Sequence, residues 1–144
     1  MDYRIDSTLA YILFLTRHIP KRNIRAAALV MMMDMRFPEY ADGFGYLMTA
    51  MVMKAENIFL RIGDIYQKVA SMQELETNDQ QVEQGIRSLI SDAWKHGDTV
   101  KWMIYFSTDG EALQERPTNG KVISRFGNLL KLLKECSEEV SYAG

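Results

Sequence analysis

At 144 residues the chain is long enough for one buried core, and 47% apolar against 25% charged residues is near the globular average, which excludes wholesale disorder. Lys and Arg number 17 and Asp and Glu 19, a net charge of −2 that excludes a uniformly basic nucleic-acid coat but not local basic patches. Three prolines and no Gly/Ser-rich stretch leave no place for a flexible linker between two domains.

The chain opens with Asp2, Arg4 and Asp6. Its apolar run over residues 9–15 lacks a basic leader and a small-residue cleavage site, so no secretory signal is expected. That run also falls short of the roughly 20 apolar residues a membrane span needs. The longer stretch 26–35 is interrupted by Asp34 and flanked by arginines. A cytoplasmic chain without membrane contact is expected.

Helical periodicity dominates. A first helix is expected from an N-cap at Asp6 or Ser7 to about His18, ahead of Pro20. A second begins after Asn23 and carries Ile24, Ala27, Ala28, Met31 and Met35. It stops ahead of Phe37-Pro38, because the residue before a proline disfavours helical backbone. A third covers about 42–54, with Phe44, Leu47, Met48 and Met51 on one side. A fourth, about 58–72, repeats Ile58, Ile62, Ile65 and Val69. The polar segment 74–79 is rich in capping residues and leads into a helix over about 80–96. There Val82, Ile86, Leu89, Ile90, Ala93 and Trp94 form one stripe at about 100° per residue. Gly97 supplies a natural C-cap. Residues 99–106 fit either a short helix or an extended piece, and 107–115 read as a loop. The last helix follows Pro117-Thr118-Asn119 and buries Val122, Phe126, Leu129, Leu130 and Leu133. With little support for strands and no internal repeat, the expected class is all-α. A single multi-helix domain over 24–144 follows a helical extension over 1–23.

Signals of catalysis are weak. Cys136 is the only cysteine, so neither an internal disulfide nor an all-cysteine metal site can form, and Glu135 beside it discourages a thiolate. His18 and His96 lack ligands at metal spacing and read as helix-end residues. Gly43-Phe44-Gly45 lacks the preceding strand and third glycine of a phosphate loop, and Asp109-Gly110-Glu111 lacks a calcium ladder. Met31 to Met33, Met35, Met48, Met51 and Met53 read as core filler or as an adaptable binding surface. Trp94 and Trp102 read as packing residues. No enzyme, cofactor or metal is expected.

Charge placement is more informative than net charge. Arg17, Lys21, Arg22 and Arg25 form one acid-free basic stretch, and Arg116, Lys121, Arg125, Lys131 and Lys134 form another. Between them Glu74, Glu76, Asp79, Glu83 and Asp92 outweigh Arg87. The basic stretches fit phosphate contacts or solvated helix faces. The helices 58–72 and 80–96 across a polar turn make a helix-turn-helix arrangement, a pattern that any helical hairpin offers.

Four anchors narrow it. Phe37-Pro38 with Gly43-Phe44-Gly45-Tyr46-Leu47, Ile65-Tyr66 with Val69-Ala70, Val82-Glu83-Gln84-Gly85-Ile86-Arg87 with Ala93-Trp94-Lys95-His96-Gly97, and Arg116-Pro117-Thr118-Asn119 follow one another in register. An insertion falls between Ala70 and Thr77. Over about 37–130 the chain resembles the C-terminal DNA-binding effector domain of stage zero sporulation protein A, the response regulator that starts endospore formation. The resemblance implies a recognition helix in the major groove of double-stranded DNA and a homodimer on tandem sites.

It assigns Gln80, Gln81, Glu83, Gln84 and Arg87 to base edges and Arg116, Asn119 and Lys121 to phosphates. Asn119 and its neighbours fit equally well as caps of the last helix. Gln81 and Gln84 stand where the family carries arginine, and Ser88 where it carries histidine. Glutamine pairs with adenine and glutamate accepts from cytosine, so an altered base readout is chemically sound. No receiver domain is legible, so an aspartyl-phosphate switch within this chain is not expected. A free-standing paralogue and a piece of a longer chain both fit. The alternative is a module that kept the fold, lost DNA binding and pairs with RNA polymerase or a related regulator.

Overall fold

The computed structural model describes residues 7–20, 23–106 and 113–143, and over these it holds seven α-helices and no strand. They are α1 (Ser7–Leu15), α2 (Ile24–Asp34), α3 (Asp42–Glu56), α4 (Ile62–Ser71), α5 (Asp79–His96), α6 (Thr99–Phe106) and α7 (Asn119–Ala143). The all-α expectation is met, and residues 99–106 resolve as helix. Of the expected loop over 107–115, residues 107–112 lie outside the described residues, as does Asp6.

Local chemistry sets the ends. Asn23 caps α2 by accepting from the Ala26 amide at 3.0 Å. The first helix stops at Leu15, short of the expected His18, and residues 16–18 form a turn. There the Thr16 hydroxyl bonds back to the Ile12 carbonyl at 2.7 Å, a local alternative to the helical ladder. The fourth helix begins at Ile62 rather than at about Ile58. The apolar period runs on through a connection in which Asn57 is extended and accepts from the Phe59 amide at 3.1 Å. Lys54 Nζ staples this connection by donating to the Ile58 and Leu60 carbonyls, both at 2.7 Å.

Gly97 follows α5 as expected, but with extended backbone and not in the left-handed conformation usual after a helix. Its glycine is required by space, since a Cβ there would sit 2.2 Å from the Ala93 carbonyl oxygen.

Arg36 ends α2 in a different way. Its φ is 60°, and the amides of Arg36 and Phe37 donate to the Met33 and Met32 carbonyls at 3.0 and 3.1 Å. This is the paired closure that glycine ordinarily completes. Arg36→Gly is therefore expected to stabilise the fold by about 0.5–1 kcal/mol, read by thermal or denaturant unfolding. A loss of stability would show that the arginine side chain holds the fold.

α3 is the central helix, packed on α7, α5, α2 and α4. Leu47, Ala50 and Met51 from α3, Ile86 and Leu89 from α5, and Phe126, Leu129 and Leu130 from α7 are all buried in one core. Met31, Met32, Met35 and Met51 are fully buried, so most of the methionine series is core, whereas Met33 is exposed. Trp102 is buried and stacks edge-on with Phe37 and Trp94.

Ile12 of α1 joins the same core. Polar bonds fix this helix further: Thr8 donates to the Ile104 carbonyl at 2.6 Å, and Tyr11 donates to Asp34 at 2.8 Å. Asp34 also accepts from Lys101 at 2.9 Å and Tyr105 at 3.0 Å, so one carboxylate ties α1, α2 and α6 together. Burial pushes the Tyr11 and Tyr105 phenols up, and the hydrogen bond to Tyr11 raises the Lys101 ammonium.

Candidate nucleic-acid interface

α4 and α5 pack through Ile65 and Val69 on one side and Val82 and Ile86 on the other, all buried. The turn between them, residues 72–78, is longer than the roughly 3–4 residues of a tight helix-turn-helix. Asn78 and Gln81 start α5 with a reciprocal capping box. The Gln81 amide donates to Asn78 Oδ1, and the Asn78 amide donates to Gln81 Oε1, both at 2.8 Å.

α5 crosses α3 at two glycines. A Cβ on Gly43 would lie 2.1 Å from the Gly85 carbonyl oxygen, and one on Gly85 would lie 3.0 Å from the Tyr46 ring. Only backbone fits at this crossing, which sets how far α5 stands from the core. Gly43 and Phe44 are buried in the first turn of α3, whereas Gly45 faces outward.

With its apolar stripe turned inward, α5 presents Gln80, Glu83, Gln84 and Arg87 at offsets of 3, 4 and 7 on one outer face. Gln80, Gln84 and Arg87 are exposed and Glu83 is half-buried. Arg87 forms an ion pair with Glu83 one turn back. Gln81 is exposed but lies to the side of this face, and its carbonyl oxygen serves the capping box. A structural duty thus occupies one group assigned to base readout. The Asn78-x-x-Gln81 spacing is the sequence signature of that box.

The start of α7 braces α5. Arg116 Nη1 donates to the Arg87 carbonyl at 3.2 Å, and Asn119 Nδ2 donates to the Glu83 carbonyl at 3.0 Å. Thr118 is the residue that caps α7, its hydroxyl accepting from the Lys121 amide at 3.3 Å. Asn119 thus spends its amide on joining two helices.

Glu83, Arg87, Arg116 and Asn119 converge with Tyr66, Thr118 and Gly120 around a cleft of about 370 Å³. Tyr66 was not singled out as a site residue. Burial raises its phenol, and a hydrogen bond with Asn119 opposes the shift. Lys121 stands exposed on the first turn of α7, while Gln80, Gln81 and Gln84 lie outside the cleft.

The second basic stretch is not one face. Arg125 turns inward, donating to the Tyr105 carbonyl at 2.7 Å and to Thr8 at 3.1 Å, and Lys131 pairs with Glu135 at 3.3 Å. Of the first stretch, Lys21 and Arg22 lie outside the described residues, and Arg17 stacks on the Phe14 ring at 4.2 Å. His96 ends α5 with Asp92 at 3.8 Å, whereas His18 lies in the turn after α1. No helix among the described residues is long and apolar enough to cross a membrane.

Two packed helices across a turn, the second offering a polar outer face and braced by a long C-terminal helix, form a helix-turn-helix arrangement. A family model described as the C-terminal domain of sporulation initiation factor Spo0A matches residues 28–130. The chain belongs to that family, the DNA-binding effector domain of a transcription regulator of sporulation. No curated protein matches the chain. α1 and the start of α2 lie outside the matched span.

Proposed function

We propose that the chain is a sequence-specific DNA-binding transcriptional regulator that lays α5 in the major groove. The observation that carries this reading is the single outer face of Gln80, Glu83, Gln84 and Arg87, held by two bonds from the start of α7. Side chains on a braced helix reach base edges with little freedom left to lose. Gln80 and Gln84 suit adenine, Arg87 suits guanine and Glu83 suits the cytosine amino group. Arg116 and Lys121 supply phosphate contacts beside the groove. Gln81 and Asn119 position α5, and Asn119 retains a place at the edge of the phosphate path. Two copies on tandem half-sites would double this surface, as the family resemblance implies.

The two kinds of contact separate experimentally. Arg87→Ala should weaken binding by about 1–3 kcal/mol and relax selection at one base position. Lys121→Ala should weaken binding evenly across sequences and lower the slope of log affinity against log salt by about 1. Quantitative binding to a selected duplex and its single-base variants reads both. Equal, sequence-blind losses from the two substitutions would contradict the assignment.

One observation favours a second reading, a module that kept the fold and works through protein partners. Glu83 neutralises Arg87, and Arg125 is spent inside the fold, so the surface is less basic than the sequence suggests.

A further inference from the structure

The cleft between α4, α5 and the start of α7 holds more hydrogen-bond donors than its own acceptors use. Tyr66 stands half-buried on α4, and its oxygen accepts from Asn119, a bond that favours the ionised phenol. No group among the described residues takes the Tyr66 hydroxyl proton. Thr118 is in the same condition. Its oxygen accepts from the Lys121 amide at 3.3 Å, and its proton likewise has no described acceptor. Arg116 spends one N–H on the Arg87 carbonyl at 3.2 Å and keeps the others. Against these donors the lining side chains offer Glu83, whose carboxylate is taken by Arg87, and the Asn119 amide oxygen. Charge points the same way. Arg87, Arg116 and the exposed Lys121 stand against Glu83 and the exposed Glu115, which is next to Arg116 in sequence but outside the lining. An occupant that brings acceptors and negative charge, and no donor of its own, fits this inventory. A phosphodiester has that chemistry.

We propose that Tyr66 is a DNA-contacting residue whose hydroxyl, together with the Arg116 guanidinium, takes one backbone phosphate at the mouth of this cleft, an assignment that rests on the reading of α5 as the DNA-contacting helix. Thr118 supplies a third donor to the same phosphate. The contact brings α4 into the interface, where the outer face of α5 and the start of α7 alone stood before. A phosphate held from α4 and α7 at once fixes the angle at which α5 lies in the groove, because the start of α7 also holds the Glu83 and Arg87 carbonyls. The hydroxyl carries no charge and meets no base, so its contribution is positioning that is blind to sequence.

The test compares the wild-type chain with Tyr66→Phe, which keeps the ring and loses the hydroxyl, in quantitative binding to a selected duplex and to a scrambled one. Tyr66→Phe is expected to lower affinity for both about fivefold or more and to leave base selection unchanged. The slope of log affinity against log salt should stay the same, since no cation is lost. A series of duplexes, each with one phosphate replaced by a neutral methylphosphonate, then locates the contact. At one position the penalty of Tyr66→Phe should vanish, because the group that the hydroxyl binds is already gone. A penalty that persists at every position would show that the hydroxyl acts only inside the fold and would overturn the proposal. A loss confined to the selected duplex would overturn it too. Wild-type binding that Tyr66→Phe matches would overturn this assignment alone, whereas a wild-type chain that binds neither duplex at low salt would overturn the reading of α5 and this assignment with it.

Discussion

Gly43→Ala is expected to lower stability by about 3 kcal/mol, a fall of roughly 10 °C in melting temperature. The added Cβ would stand 2.1 Å from the Gly85 carbonyl oxygen and 2.6 Å from its carbon, so backbone and not a pliable side chain must yield. Relief requires α5 to move off α3, which also shifts Glu83 and Arg87 away from the bonds that brace them. Gly45→Ala is the control. It lies two residues on in the same helix with nothing within 4 Å of the new Cβ. There alanine should stabilise by about 0.5–1 kcal/mol, because glycine is the poorer helix former. Thermal unfolding by circular dichroism reads both, and similar effects from the two substitutions would contradict the close crossing.

The second large effect is expected at Asp34. Asp34→Ala removes the acceptor of three groups at once, leaving the Lys101 ammonium only its bond to Tyr11 and depriving the Tyr11 and Tyr105 hydroxyls of their acceptor. Breaking a buried pair from one side costs about 3–5 kcal/mol, and Lys101, with its side chain 26% exposed, recovers part of that from water. A loss of about 2–4 kcal/mol is expected on denaturant unfolding. Lys101→Met in the Asp34→Ala background should restore part of it, since the stranded charge is then gone. No recovery would show that the ammonium was never the burden.

The same cluster sets a pH dependence. Tyr11 and Tyr105 are raised above the ordinary 10.0 by burial, and Lys101 above 10.5 by its bond to Tyr11. The folded chain therefore keeps protons that the unfolded chain releases. Their stabilising contribution is complete below about pH 10 and is lost as pH rises beyond it. Denaturant midpoints measured from pH 8 to pH 11 should fall only at the alkaline end.

What could be read from the sequence follows from physical range. α5 was legible because one unbroken apolar stripe marks its buried side, and the start of α2 after Asn23 was legible because the second apolar run opens there. Ile58 misled because periodicity continued through a connection whose course is set by hydrogen bonds from Asn57 and Lys54. Gln81 and Asn119 carry the right chemistry for DNA, yet Gln81 also completes the Asn78-x-x-Gln81 capping spacing, and the Glu83 carbonyl held by Asn119 appears only when backbone positions are known. Arg125 counted as basic surface because nothing nearby in sequence announces Tyr105 and Thr8. The Gly43–Gly85 crossing and the partners of Asp34 are juxtapositions of distant segments, which no local pattern encodes. Periodicity alone supplied a helical hairpin, and the proposed recognition face came from the family resemblance.

We propose that the outer face of α5 reads DNA sequence. Its most direct test is a titration of the purified chain against a randomised duplex pool at low and moderate salt, with sequencing of the retained fraction. An enriched motif is expected, with affinity that falls as salt rises and base positions that change when Gln84 or Arg87 is replaced. No retention even at low salt would contradict it.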